Sequence, residues 1–333
     1  MTSVGLNVKT EEAARADRSF AETTAAIQAR ARELLESGQV KVVIGFENGP
    51  RPYQARPAFI RRAEDVERLV WSPFCIANLA KYLLDKRLSG QKVAVVAKGC
   101  DSRGLVRLIR DQQLKRDDVY ILGVPCGGMI DRAKPDVVAE RCLFCEHQNP
   151  VIQDEMIGSE VAAGPYAAAP VAAAGVLAEA NGSGGGAGTG ASGGDPRFAR
   201  VAEIEAMPVA ERSAYWDELM ERCVRCFACR NVCPACDCRE CTFDMTKPRW
   251  LGKAVNLAEN QFYHLTRVMH VAGRCIDCGE CERVCPVGIP IMELNRKMQL
   301  DINTLFGEQE PGLAVDEELP LAGFRQTDPD EFL

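Results

Sequence analysis

The sequence predicts an α/β N-terminal domain with a mostly parallel sheet, followed by a mainly α-helical, cysteine-rich domain. Three observations carry this. Helical periodicity alternates with short β-rich runs up to about residue 124; residues 161–195 collapse into Ala and Gly; and beyond them, helices and cysteine loops follow with almost no β pattern.

The β-rich runs are VKVVIGF at 40–46, KVAVVAK at 92–98 and VYILGV at 119–124. Amphipathic segments at 21–36, 76–88 and 102–114 separate them, the pattern of a parallel sheet covered by helices. The glycine tract NGSGGGAGTGASGGD cannot bury enough apolar surface to offset its chain entropy, and it reads as a flexible linker. No strand precedes it and no Gly-Lys-Ser/Thr closes it, so it is not a phosphate loop. The expected organisation is a flexible N-terminus (1–20), an α/β domain (21–160), an Ala/Gly-rich linker (161–196), a helical domain (197–306) and a solvated tail (307–333) with eight acids against one Arg.

The 333 residues are 47% apolar and 26% charged, enough to bury real cores and long enough for two domains. A net charge of -7, without a basic cluster, excludes a field that would attract a phosphate backbone, so nucleic acid is not an expected partner. No 18-residue apolar stretch is present and the first twenty residues are polar, so neither a membrane span nor a signal peptide is expected, and the predicted location is the cytoplasm. Sixteen cysteines in a chain of that compartment point to metal rather than disulfides.

Cys223–Cys233 and Cys275–Cys285 each spell Cys-x2-Cys-x2-Cys-x3-Cys-Pro. A 4Fe-4S cube needs four thiolates, of which one tight Cys-x2-Cys-x2-Cys loop supplies three. In two-cluster ferredoxins the distal Cys of each run ligates the other cube. The expected sets are therefore Cys223, Cys226, Cys229 with Cys285, and Cys275, Cys278, Cys281 with Cys233. Pro234 and Pro286 redirect the chain after each distal ligand. A structural zinc site wants two pairs of ligands and leaves the third and distal cysteines of each run unexplained. Arg222, Arg225, Arg230 and Arg274 stand beside the ligands in sequence, where cations raise a cluster's potential.

About forty residues separate the runs, including the helical stretch 252–271. With that long helical spacer the region resembles the α-helical dicluster ferredoxin module of the heterodisulfide reductase C subunit and of the iron-sulfur subunit of succinate dehydrogenase. The resemblance implies a relay that passes electrons between neighbouring subunits.

A third site is suggested in the first domain. Cys100 and Cys126 each lie just beyond the C-terminal end of a predicted parallel strand, the edge where open α/β folds place ligands, and Cys142 and Cys145 follow as Cys-x2-Cys. Asp101 or Ser102 is expected to cap a helix beginning after Cys100, whose free N–H groups favour an anion. On spacing alone, buried core thiols with a zinc pair compete evenly with a cluster. The order Lys98-Gly-Cys-Asp-Ser-Arg103, Val124-Pro-Cys-Gly127 and Cys142-Leu-Phe-Cys145, within residues 40–158, resembles the beta-subunit family of the coenzyme F420-reducing hydrogenases and dehydrogenases. In that family the corresponding cysteines hold a 4Fe-4S cluster beside a flavin. The resemblance implies a third cube on Cys100, Cys126, Cys142 and Cys145, with FAD as a further cofactor. The paired glycines that the family places at its first helix are missing here, where residues 20–36 read FAETTAAIQARARELLE.

Cys236, Cys238 and Cys241 have no place in two cubes; ordinary reduced thiols, a further cluster with Cys75, or replacement of Cys233 as ligand all remain open. Cys75 reads as a core thiol more than a ligand, near a helix start that can lower its pKa. His147, His264 and His270 have no ligand spacing, and no carboxylate pair or Ser-His-Asp order invites hydrolysis. The expected function is an iron-sulfur electron-transfer subunit of an anaerobic redox complex. Its partners would be other redox subunits: a flavoprotein, a hydrogenase, a formate dehydrogenase or a heterodisulfide-reductase-like assembly. The competing reading is an FAD-containing catalytic subunit acting on a deazaflavin or nicotinamide.

Overall fold

The computed structural model describes residues 4–130, 138–161 and 195–323. It divides into two compact units, Met1–Gly186 and Ala187–Leu333, and the Ala/Gly tract where they meet lies outside the described residues.

The first unit opens with α1 (Val4–Glu36), then β1 (Val42–Asn48), β2 (Ala55–Ile60), β3 (Val93–Ala97), α2 (Gly99–Arg110), β4 (Val119–Gly123), the single turn α3 (Glu140–Leu143) and β5 (Glu155–Met156). The sheet order is β2-β1-β3-β4-β5; β1, β3, β4 and β5 run parallel and β2 pairs antiparallel with β1. Every residue of β3 is buried, as a central strand covered on both faces requires. Its Val-rich run packs with Ile27, Ala31 and Leu34 of α1 and with Ile121 and Leu122 of β4.

Three differences from expectation have physical causes. The first helix begins at Val4 rather than near residue 21, over a stretch rich in Ala, Glu and Arg, which are strong helix formers. Residues 76–88 form two short 3-10 turns, Ala80–Leu84 and Lys86–Leu88, instead of an α-helix. Here the backbone is claimed from outside: Lys98 Nζ donates to the Ala77 carbonyl, the Leu79 amide donates to Asp101 and Asn78 caps the Ala80 amide, so no i to i-4 ladder starts. The edge strands β2 and β5 lack a sequence signal, because Pro57 breaks the first and the second is two residues long.

The second unit contains α4 (Ala199–Glu205), α5 (Val209–Glu221), the four-residue α6 (Ala228–Asn231), α7 (Leu257–Val271), the four-residue α8 (Glu280–Arg283) and α9 (Ile291–Phe306), with no strand among the described residues. Its core joins Leu219 and Met220 of α5, Tyr263 of α7 and Ile291 and Met292 of α9 with Cys223, Cys229 and Cys281. The acidic segment expected as a solvated tail is held as far as residue 323: Gln299 donates to the Gln309 carbonyl at 2.9 Å, Arg197 pairs with Glu310, and Pro311 and Pro320 are buried. Residues 324–333 lie outside the described residues.

Candidate metal centres

The two cysteine runs fold into the same loop. In Cys223-Val-Arg-Cys226-Phe and Cys275-Ile-Asp-Cys278-Gly, the residue before the second Cys and the residue after it both have positive φ: Arg225 (50°) and Phe227 (60°), Asp277 (53°) and Gly279 (64°). Phe227 and Gly279 are the N-caps of α6 and α8, so each run ends its loop in one short helix carrying the third Cys. Alternation of left- and right-handed residues turns successive backbone N–H groups toward one side, a cradle for an anion. Accordingly the Arg225 amide donates to Cys223 Sγ at 3.4 Å, and the Asp277 amide bonds Cys275. The cost of left-handed non-glycine residues, about 1–2 kcal/mol each, is accepted in both loops.

Cys223, Cys226 and Cys229 line one cavity together with Cys285, the distal cysteine of the other run. The Ile289 amide donates to Cys285 Sγ at 3.3 Å. On the other side, the sulfurs of Cys233 and Cys275 lie near Cys281, and that of Cys233 near Cys275. Cys278 is half-buried in the same loop. As free thiols these groups resist ionisation: burial, then the charge of Asp277, pushes Cys275 up to about 12, and burial raises Cys229 and Cys281 as well. A bound iron supplies the positive charge that deprotonates such a thiol. Among the described residues, no group of three or more His, Cys, Asp or Glu side chains is gathered to hold a single metal ion.

The supporting residues lie on α7 and α9; of them the sequence marked only His264, as a histidine without ligand spacing. Asn260 donates to the Met220 and Cys223 carbonyls, both at 2.9 Å, fixing the first loop. Tyr263 OH and His264 Nε2 stand 3.3 Å from Cys229 Sγ and Cys223 Sγ. Burial and then Arg267 press His264 down to about 4, so its ring is neutral near pH 7. Asn295 donates to Cys281 Sγ at 3.6 Å. The signal was present: Asn260, Tyr263, His264, Arg267, Val268 and Val271 all fall on one buried helical face, where a plain core would show aliphatics. Meanwhile the four arginines beside the ligands are engaged locally, Arg222 with the Val287 carbonyl, Arg225 with Glu259, Arg230 with Asp244 and Arg274 with Asp237.

In the first unit, β3 and β4 pair in register with Ala97 beside Gly123, so Cys100 and Cys126 leave the same edge of the sheet. The segment carrying Cys142 and Cys145 returns across that edge, where Cys126 N donates to the Gln148 carbonyl at 2.9 Å. The sulfurs of Cys142 and Cys100 lie near Cys126, and that of Cys145 near Cys100. These pairs place each of Cys100, Cys126, Cys142 and Cys145 near at least one other of the four. Burial, then Asp101, pushes Cys100 up to about 12.

The capping differs from expectation: α2 starts at Gly99, before Cys100, with Lys98 as N-cap. Asp101 acts from the first turn, accepting the Lys98 amide at 2.8 Å, and pairs with Lys98 Nζ at 2.8 Å with both side chains buried. Burial alone would lower the Lys98 pKa, but Asp101 and Cys100 hold it above the usual lysine range. Gly99 allows the returning segment to pass, since a Cβ there would lie 1.8 Å from the His147 carbonyl oxygen.

Cys75 is fully buried in a turn rather than at a helix start, and burial raises it to about 11 instead of lowering it. Cys236 packs with Cys233 and Val271, Cys241 is half-buried and bonded by Arg230, and Cys238 is exposed.

Residues 219–289 match the 4Fe-4S dicluster domain family. The chain is 25% identical over 375 positions to the F420-dependent formate dehydrogenase subunit beta of Methanocaldococcus jannaschii, covering 90% of this chain and 94% of that protein. It is also 25% identical over 364 positions to the F420-dependent formate dehydrogenase 1 subunit beta of Methanococcus maripaludis, covering 89% and 92%. A solved structure of the F420-reducing [NiFe] hydrogenase complex from Methanosarcina barkeri aligns with 33% of this chain and 38% of its own at 19% identity and a TM-score of 0.25, too little to bear on the fold. The chain carries a 4Fe-4S dicluster domain and is similar, along nine-tenths of its length, to F420-dependent formate dehydrogenase beta subunits, which fits the F420 hydrogenase/dehydrogenase beta-subunit family that residues 40–158 resemble.

Proposed function

We propose that the chain is the iron-sulfur electron-transfer subunit of a multi-subunit redox complex, relaying single electrons through two cubes in the second unit and a third in the first. The observation that carries this reading is the single cavity lined by Cys223, Cys226, Cys229 and the distal Cys285. The ligands assigned are that set, the set Cys275, Cys278, Cys281 and Cys233, and the set Cys100, Cys126, Cys142 and Cys145. Bound cubes supply one-electron chemistry. The chain's own part is to hold the thiolates, donate amide and side-chain hydrogen bonds to their sulfurs, and exclude water with Tyr263, Ile289 and Ile291. Partners are other redox subunits, of the kind the relatives' names describe, a formate dehydrogenase assembly, and we assign the complex to anaerobic chemistry. No described helix is long and apolar enough to cross a membrane; we assign the chain to the cytoplasm on its composition.

A second reading has one observation in its favour, the extension of the likeness to F420-dependent relatives through the first unit. In it, that unit also binds FAD and converts a two-electron donor into single electrons. Anaerobic purification of the full chain, with iron, sulfide, zinc and flavin counted, tests both. Iron and sulfide in equal amounts for three cubes, without flavin, support the relay. Stoichiometric flavin moves the chemistry into this subunit, and zinc in place of iron overturns both readings.

A further inference from the structure

We propose that Arg267 is a countercharge shared by the two cubes of the second unit, a buried guanidinium between their ligand sets that raises both reduction potentials. The inference rests on the two-cube reading above and concerns what tunes the cubes.

The placement follows from α7. One turn before Arg267, Tyr263 and His264 touch Cys229 and Cys223 of the first ligand set. One turn after it, Val271 packs against Cys233 of the second. Arg267 therefore stands midway, 2% exposed, with Nη2 donating to the Cys229 carbonyl at 3.3 Å. Its Nε and Nη1 have no hydrogen-bond partner. Burial disfavours its charge, and the sulfurs of Cys281, Cys233, Cys236 and Cys229 lie close enough to favour it once they are ionised. The first two belong to one set and the last to the other.

A buried cation with two unpaired nitrogens is costly unless anions face it. The arginines nearest the ligands in sequence spend their charge on Glu259, Asp244 and Asp237. Arg267 forms no ion pair among the described residues, so its field remains for the sulfurs. A cube with four thiolates is an anion that gains a further negative charge on reduction, and a nearby cation in a dry site favours the reduced form. Placed between two cubes, the same cation also weakens the repulsion between two electrons held at once.

The test uses the full chain purified anaerobically, with iron and sulfide counted and both cubes titrated potentiometrically by magnetic resonance. In Arg267→Met with full iron, both midpoint potentials should fall by at least a tenfold change in each reduction equilibrium, about 59 mV for a one-electron couple. Arg267→Lys should keep most of the wild-type value. Unchanged potentials in the Met variant overturn the proposal, as does a shift confined to one cube. If the Met variant loses iron, the Lys variant decides: full loading with near wild-type potentials supports a charge role, and loss of iron there too makes Arg267 a scaffold residue. Absence of two cubes from the wild-type chain would instead refute the underlying relay reading.

Discussion

The two units gather thiols in opposite ways. In the second, Cys223, Cys226 and Cys229 of one loop line a cavity, and only Cys285 comes from afar, from the other run. In the first, Cys100 and Cys126 come from two strand ends and Cys142 and Cys145 from a returning segment, so the site exists only when the sheet does. A local loop stores its geometry in backbone conformation: Arg225, Phe227, Asp277 and Gly279 share the left-handed region. A dispersed site stores it in tertiary contacts, here the buried Lys98–Asp101 pair and the close passage of His147 over Gly99. Iron in the second unit should accordingly answer to ligand changes one cube at a time, and iron in the first to anything that loosens the sheet.

The largest effect comes from the ligands themselves. Cys226→Ser and Cys278→Ser should each abolish one cube of the second unit, because serine is a poor ligand for iron where a soft thiolate is required. Iron content should drop by one cube in each, and the reduced-state magnetic spectrum should lose a different component in the two variants. The same spectral loss from both would break the assignment into two separate sets. Neither change should alter the iron held by the first unit.

Next in size is Lys98→Met. It leaves Asp101 charged and buried, with the Lys98 and Leu79 amides as its remaining donors. Removing one member of a buried ion pair costs about 3–5 kcal/mol. Chemical denaturation of the full chain should show the transition of the first unit shifted by that amount, with its cube lost at lower denaturant and the second unit unmoved. A shift below about 1 kcal/mol, the range of exposed pairs, would mean the pair is wetter than its burial implies.

Gly99→Ala probes the same unit more gently. The added Cβ would meet the His147 carbonyl oxygen at 1.8 Å, and backbone on both sides must give way. Overpacking of this kind costs about 1–3 kcal/mol, and the displaced segment is the one that carries Cys145 toward Cys100. The expected readout is partial loss of iron from the first unit with a measurable drop in its stability. Full iron at wild-type stability would show that the returning segment is free to shift.

What the sequence disclosed follows the same divide. The three long parallel strands could be read because each is a Val- or Ile-rich run, and the cysteine runs of the second unit because their spacing is local and repeated. The edge strands could not, since β5 is two residues long and exists only by pairing with Leu122 and Gly123. Residues 76–88 carry a helical pattern that lost to hydrogen bonds from Lys98 and to Asp101, contacts no local window contains. Arg267 was missed for a related reason. Attention to charges adjacent to the cysteines selects Arg222, Arg225, Arg230 and Arg274, whereas helical periodicity puts Arg267 of the spacer helix on the buried face with Tyr263 and His264.

The smallest effect is expected from Gly279→Ala, and it sharpens the comparison most directly. Gly279 has φ 64°, where an L side chain ordinarily costs about 1 kcal/mol. Yet Phe227 holds φ 60° at the matching position of the first run and also caps its short helix, so the loop tolerates a side chain there. Alanine should therefore lower the stability of the second unit by about 1 kcal/mol and leave both cubes loaded with unchanged spectra. Loss of the cube held by Cys275, Cys278 and Cys281 would show that the two loops, alike in backbone, differ in what surrounds them. Tolerance here beside damage from Gly99→Ala would establish that glycine serves a local turn in one unit and a tertiary approach in the other, which is the distinction the two thiol sites embody.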